Sequence, residues 1–191
     1  MSALNPIAQA VEAPVDWRNP VENAKDLGQR PSLQDLGPFR WEPYVCPTWS
    51  AIDAKDRELT TATFQGKPTI MIFYLGFGCL HCVEQLHTFS PMMDDFKAAG
   101  IQVVGVSTES LEELKRGIEN FEDPVDIPLM SDADQQAFKG FRCWDDFEDQ
   151  PLHGTFLIDS QGKVRWQDIS YEPFNDPEFL LKEAKRLLAL P

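Results

Sequence analysis

Two cysteines separated by two residues, Cys79-Leu80-His81-Cys82, carry the most reactive side-chain chemistry in the chain. They follow the dense apolar run Pro68-Thr69-Ile70-Met71-Ile72-Phe73-Tyr74-Leu75. That run reads as a buried strand, being β-branched and aromatic and bounded by Pro68 and by Gly76 and Gly78. A strand that hands such a pair to the first turn of a helix places Cys79 among unpaired backbone N–H groups at the positive end of the helix dipole. A thiolate is stabilised there near neutral pH. The chemistry this implies is thiol–disulfide exchange. Cys79, nearer the helix start and more exposed, attacks a disulfide sulfur, and Cys82, on the same helix face, resolves the mixed disulfide.

Other chemistries compete for the same sulfurs. Zinc has three candidate ligands in Cys79, Cys82 and His87, but no second Cys pair and no clear fourth ligand. A c-type haem needs His directly after the second Cys, and Val83 stands there. Gly76-Phe77-Gly78 is explained by the approach to the reactive turn, and no Gly-rich phosphate cradle occurs, so no organic cofactor is expected. Cys46 and Cys143 read as ordinary thiols. Cys143, beside the acidic segment Trp144-Asp145-Asp146-Phe147-Glu148-Asp149, is a secondary candidate for a resolving cysteine, against the plainer reading of a half-buried loop thiol. The dullest reading of the main pair is two buried thiols without chemistry.

The elements that must position the pair follow from periodicity and turn residues. Trp49 to Ile52 and Arg57 to Thr61 flank Asp53-Ala54-Lys55-Asp56 as an N-terminal hairpin. After the central strand, Val83, Leu86, Phe89, Met93 and Phe96 form one apolar stripe on a helix that stops at Gly100, with Pro91 expected to kink it near His87. Ile101 to Val106 is a second strand, followed by a helix from Ser110 to Phe121 and a short apolar run, Ile127 to Met130. Asp132 with Gln135 predicts a capping box for a helix to Lys139. Gly154 to Asp159 and Lys163 to Ile169 form a hairpin through Ser160-Gln161-Gly162. Asp176-Pro177 opens a last helix with Phe179, Leu180, Ala184, Leu187 and Leu188 facing inward. The fold class expected is α/β, a mixed central sheet covered by helices on both faces.

Length and composition bound the partners. A chain of 191 residues, 42% hydrophobic and 25% charged, makes one domain of ordinary globular balance plus an extension. The division expected is an N-terminal extension over residues 1–42 and a domain over 43–191. Short helical hints lie at Val21 to Leu27 and Ser32 to Leu36. Phe39, Trp41 and Tyr44 crowd aromatic surface that would pack back on the domain, as an edge strand, or on a second subunit, as in a homodimer. No apolar run approaches the ~20 residues of a membrane span. Glu12 and Asp16 precede the first Arg at position 18, unlike a secretory signal, so a cytoplasmic location is the expectation. A net charge of −14 without a Lys/Arg cluster argues against nucleic acid.

The ordered segments Phe73-Tyr74-Leu75-Gly76-Phe77-Gly78-Cys79-Leu80-His81-Cys82, Val103-Val104-Gly105-Val106-Ser107, Leu129-Met130-Ser131-Asp132 and Gly154-Thr155-Phe156-Leu157-Ile158-Asp159 with Gly162-Lys163 resemble the thioredoxin-like superfamily. The likeness is closest to its alkyl hydroperoxide reductase and thiol-specific antioxidant branch, which includes the peroxiredoxins. It covers roughly Pro43 to Leu188 and implies a thioredoxin-like fold. It also implies a thiol oxidoreductase acting on disulfides or peroxides and recharged by an external reductant.

Against that family's Pro-x-x-x-Thr-x-x-Cys pattern, Leu75 stands in place of Pro and Cys79 in place of Thr, with Cys82 aligned to the peroxide-attacking cysteine. A second assignment follows, in which Cys82 meets peroxide and Cys79 resolves. His153 takes the slot of an Arg in those enzymes and of a cis-proline in thioredoxins. Phe73 replaces the buried acid of thioredoxin, and Gly78 the Trp that often precedes the first Cys. His81, as in the strongly oxidising members of the superfamily, is expected to stabilise the Cys79 thiolate. His153 is expected either as a proton acceptor for Cys82 or as a plain loop histidine. Copper-delivering relatives suggest a third reading, a Cu(I) site of Cys79, Cys82 and His153. Family members commonly carry an acid where Gln85 stands, while Glu84 reads as a solvated carboxylate.

Overall fold

The computed structural model describes residues 43–121 and 125–190. The expected extension over 1–42, with its helical hints and with Phe39 and Trp41, lies outside the described residues. Among the described residues ten strands are formed: β1 (Tyr44–Val45), β2 (Ser50–Asp53), β3 (Glu58–Thr60), β4 (Thr69–Tyr74), β5 (Gln102–Ser107), β6 (Leu129–Ser131), β7 (Trp144–Asp145), β8 (Gln150–Pro151), β9 (His153–Ile158) and β10 (Lys163–Ser170). The helices are α1 (Leu80–Phe89), α2 (Met93–Ala98), α3 (Leu111–Asn120), α4 (Gln136–Gly140) and α5 (Pro177–Leu188). Among the described residues no helix is long and apolar enough to cross a membrane.

Eight strands make one sheet in the order β1-β10-β9-β4-β5-β6-β2-β3. The fully buried β4 sits at its centre, parallel to β5 and antiparallel to β9. This is the mixed α/β sheet with an N-terminal hairpin that the sequence implies, and β2 and β3 pair as expected across Asp53–Asp56. The Asp53 carboxylate closes that turn by accepting from the backbone N–H of Lys55 and of Arg57, each at 2.9 Å.

Alternation along β4 divides the interior in two. Ile70, Ile72 and Tyr74 pack with Cys82, Leu86 and Phe89 of α1, Leu114 of α3 and Leu180, Leu181 and Ala184 of α5. Met71 and Phe73 face the other way, onto Trp49, Ala137, Phe138, Phe141, Cys143 and Phe156. There Phe73 meets Phe138 and Phe156 edge to face, an arrangement aromatic quadrupoles favour.

Four local expectations are corrected. Pro91 breaks the first helix in a 3-10 turn at Ser90–Met92, one turn later than His87, and α2 resumes at Met93. Asp132 does not open α4 through a capping box. Gln135 is the N-cap with φ 59, and the Asp132 carboxylate reaches further along to accept from Ala137 N–H (3.2 Å) and Phe138 N–H (2.9 Å). Phe179 is exposed, and the buried residues of α5 are Pro177, Leu180, Leu181 and Ala184. The acidic segment after Cys143, read as a loop, begins with β7, which pairs with β8 just beyond the segment. By contrast Ser110 and Glu113 do form a capping box at α3, and Gly162 adopts φ 76 in the β9–β10 turn.

Candidate active site

The site forms where β4 ends and α1 begins. Cys79 is the N-cap of α1, and its sulfur accepts from the backbone N–H of Cys82 at 3.3 Å. A sulfur in that position takes the place of a capping oxygen, so negative charge on it is favoured by the open helix end. Cys82 lies on the inward face of α1 and is fully buried, whereas Cys79 is half-buried. The two sulfurs are joined as a disulfide, with Cα atoms 5.3 Å apart, a separation native disulfides span without backbone movement.

Two further groups converge on the inner sulfur. Leu75 N–H, just past β4, donates to Cys82 Sγ at 3.3 Å. His153 opens β9, the strand beside β4, and brings Nε2 to 3.1 Å from Cys82 Sγ and 3.8 Å from Cys79 Sγ. Burial holds the His153 pKa below its ordinary value; the backbone at Tyr171 and Ser170 and the Glu172 carboxylate oppose that shift. Its Nδ1 lies against this backbone without a hydrogen bond of good geometry. The imidazole is therefore neutral at neutral pH and available to a proton from sulfur.

His81 makes no hydrogen bond to either sulfur among the described residues. Its Nδ1 pairs with Glu172 Oε2 at 3.0 Å, and both side chains are largely exposed. Glu84 is exposed, as read from the sequence. Gln85 is fully buried one turn below Cys82, where Nε2 donates to Phe174 O at 2.9 Å and Thr155 Oγ1 at 3.3 Å. An uncharged amide suits this position, because a carboxylate could not donate to the Phe174 carbonyl.

The remaining thiols stand apart. Cys143 is fully buried in the core on the opposite face of the sheet, and burial pushes its pKa up. It is not placed to resolve chemistry at Cys79. Cys46 lies in the same core with its pKa pushed up to about 12 by burial. Among the described residues the group that could hold a metal ion is Cys79, Cys82 and His153, whose donor atoms lie within 4.8 Å of one another. His87, the ligand a zinc site would need, instead packs its ring on Phe121. Cys79, Cys82 and His153 are the three residues of the Cu(I) reading, brought together here; for zinc, three donors fall short of a closed four-coordinate site.

Sequence reasoning missed Leu75, Glu172, the Gln85 partners Thr155 and Phe174, and the loop after β5, where Thr108 and Glu109 bond the β4–α1 loop. Only the strand pairing brings these residues to the sulfurs, so no local motif marks them.

Comparison with known proteins agrees with this geometry. Residues 44–167 match the AhpC/TSA family. The chain is 28% identical to "Peroxiredoxin Bcp" of Escherichia coli over 147 residues, covering 74% of this chain and 93% of the relative. It is 29% identical to the chloroplastic peroxiredoxin Q of Sedum lineare, covering 74% of each. Peroxidoxin BcpB from Mycobacterium tuberculosis superposes with a TM-score of 0.67 over 78% of this chain and 97% of its own, at 18% identity, which speaks for the fold. With the family matched over most of the chain and the dithiol lying at its strand-to-helix junction, the protein belongs to the AhpC/TSA family of thiol oxidoreductases.

Proposed function

We propose that Cys79 and Cys82 form the redox couple that reduces disulfide or peroxide substrates, with Cys79 meeting the substrate, Cys82 resolving and His153 taking the Cys82 proton. The observation that carries this reading is the asymmetry of the pair. The helix-capping Cys79 is reachable from solvent, while Cys82 is sealed inside with His153 Nε2 3.1 Å from its sulfur.

In the reduced protein the Cys79 thiolate attacks one sulfur of a substrate disulfide. A mixed disulfide forms and the other half leaves as a thiolate that takes up a proton. Cys82 then gives its proton to His153 Nε2 and attacks the Cys79 sulfur, expelling the second substrate thiol. One substrate disulfide is reduced to two thiols while the protein dithiol becomes a disulfide. With a hydroperoxide, Cys79 takes the outer oxygen to become a sulfenic acid and an alcohol or water leaves. Cys82 attacks that sulfur and water departs. An external dithiol restores the protein by attacking Cys79, the sulfur within reach, beside the solvent-facing Leu80.

The test is turnover of hydrogen peroxide, and separately of insulin disulfides, with dithiothreitol as reductant. Cys79→Ser should abolish both. Full turnover in that variant would overturn the assignment.

A second reading makes Cys82 the sulfur that meets peroxide. It is favoured by the convergence of Leu75 N–H and His153 on Cys82 Sγ, which stabilises a thiolate there. Stopped-flow mixing of Cys79→Ser with hydrogen peroxide separates the two. Rapid sulfenate formation at Cys82 supports the second reading, and a rate no faster than that of a free thiol supports the first.

A further inference from the structure

The loop that carries the first cysteine is held from outside its own chain segment. β4 and β5 run parallel with Tyr74 opposite Ser107 as the last backbone pair. Beyond it the backbone ladder stops, yet the two chains stay joined by side chains. Thr108 Oγ1 donates to Leu75 O at 3.0 Å, and Glu109 Oε1 accepts from Phe77 N–H at 3.0 Å. Glu109 is itself anchored, because its carbonyl accepts from Ser131 Oγ of β6 at 2.6 Å.

Gly76 makes this crossing possible. It adopts φ 120, and a Cβ there would stand 2.6 Å from Glu109 Cδ, so the carboxylate passes through space that any other residue would fill. Each arm of the strap leads to one sulfur. Leu75, fixed through its carbonyl by Thr108, is the residue whose N–H donates to Cys82 Sγ. Phe77, fixed by Glu109, lies within the turn closed by Cys79 N–H onto Gly76 O at 3.2 Å, the turn that delivers Cys79 to the helix cap.

We propose that Thr108 and Glu109 are positioning residues for the dithiol, setting Cys82 through Leu75 and Cys79 through Phe77, and thereby the rate and equilibrium of disulfide closure. This rests on the reading of Cys79 and Cys82 as the redox couple. The Glu109 arm works through one acceptor oxygen. Oε1 holds Phe77, while Oε2 is buried without a hydrogen bond of good geometry and the Ser107 hydroxyl is the polar side chain that acts on the carboxylate. A Gln at this position therefore supplies the same acceptor without the charge.

The experiment uses the full chain and compares Glu109→Ala, Glu109→Gln and Thr108→Val. It measures kcat and KM with hydrogen peroxide and dithiothreitol, the equilibrium of the protein dithiol with glutathione disulfide, and urea unfolding. Losing one arm should lower kcat about tenfold, the scale of one hydrogen bond expressed in a barrier. KM should change less than about twofold, and the equilibrium should move away from the protein disulfide. Glu109→Gln should retain at least about half of kcat.

A merely structural role would shift the urea midpoint and leave kcat of the folded protein and the glutathione equilibrium unchanged, and that result overturns the proposal. So does a Glu109→Gln variant as impaired as Glu109→Ala, since charge and not the hydrogen bond would then matter. Thr108→Val keeps the shape and removes only the hydroxyl, so it decides the matter where Glu109→Ala does not fold; wild-type values in it overturn the proposal. Should the wild-type protein turn over no peroxide while the variants still shift the glutathione equilibrium, the strap stands and the peroxide reading falls.

Discussion

His153 and Gly154 are neighbours in β9 that serve opposite faces of the central sheet. The His153 imidazole reaches Cys82 on the α1 side, while the missing side chain of Gly154 leaves room for the Cys143 sulfur on the other. One strand thus fits the catalytic candidate and the packing of the second core with consecutive residues, and a change at Gly154 must be felt at His153.

A Cβ at Gly154 would overlap Cys143 Sγ and lie 2.8 Å from Phe156 Cε2, both buried side chains of this core. Gly154→Ala should therefore cost about 1–3 kcal/mol of stability by urea unfolding, the usual penalty for overpacking. Adding Cys143→Ala should restore most of it, since the clashing sulfur is gone. Cys143→Ala alone should keep the peroxide and disulfide turnover of the parent, because its thiol is buried across the sheet from the dithiol. Loss of disulfide closure in that variant would return Cys143 to the chemistry.

Much of the architecture can be read in the chain because it rests on local signals. The β-branched and aromatic run from Pro68 to Leu75 favours a buried strand and forms one over Thr69–Tyr74, Ser110 with Glu113 caps α3 as its spacing requires, and Gly162 supplies the left-handed turn residue of the last hairpin. The Cys79–Cys82 pair is legible for the same reason, being a short-range motif at a predicted boundary.

What the sequence conceals depends on strand register. His153 stands out as a candidate only through family resemblance, and its contact with a sulfur 71 residues away follows from β9 lying against β4. Glu109 reads as one more acid near the start of α3; only the parallel pairing of β4 with β5 carries it over Gly76. The start of α4 is hidden for a related reason. The Asp132 carboxylate bonds the first turn of α4 from five and six residues away, a geometry that a spacing rule of three cannot express.

The pH dependence of closure should follow His153. Burial lowers its pKa from the ordinary 6.5, so the neutral imidazole proposed to accept the Cys82 proton persists to lower pH than in a free histidine. Single-turnover disulfide closure should be level above 6.5 with respect to this group and fall as pH drops through the lower folded value. Stability moves in the same direction. The unfolded chain takes up the proton at 6.5 while the folded chain resists it, so the His153 contribution is complete above 6.5 and is lost on acidification. His153→Gln should slow closure and remove that part of the pH slope, read as the difference between wild type and variant. An unchanged closure rate across pH 5–8, a window that spans histidine titration, would show that another group accepts the proton.

The pairing of His81 with Glu172 tempers the oxidising character expected of a His between the cysteines. When it carries a proton, an imidazole beside Cys79 favours the thiolate and hence the reduced form, and the Glu172 carboxylate 3.0 Å from Nδ1 opposes that field. The two residues should therefore act on the couple with opposite sign. His81→Ala should shift the equilibrium with glutathione toward the protein disulfide. Glu172→Gln should shift it toward the dithiol by leaving the imidazole charge uncompensated. Because the pair is exposed and screened, each change should be modest, about threefold in the equilibrium constant, and should shrink as salt is raised. Shifts of the same sign in both variants would mean that the pair acts by shaping the rim of the site and not through charge.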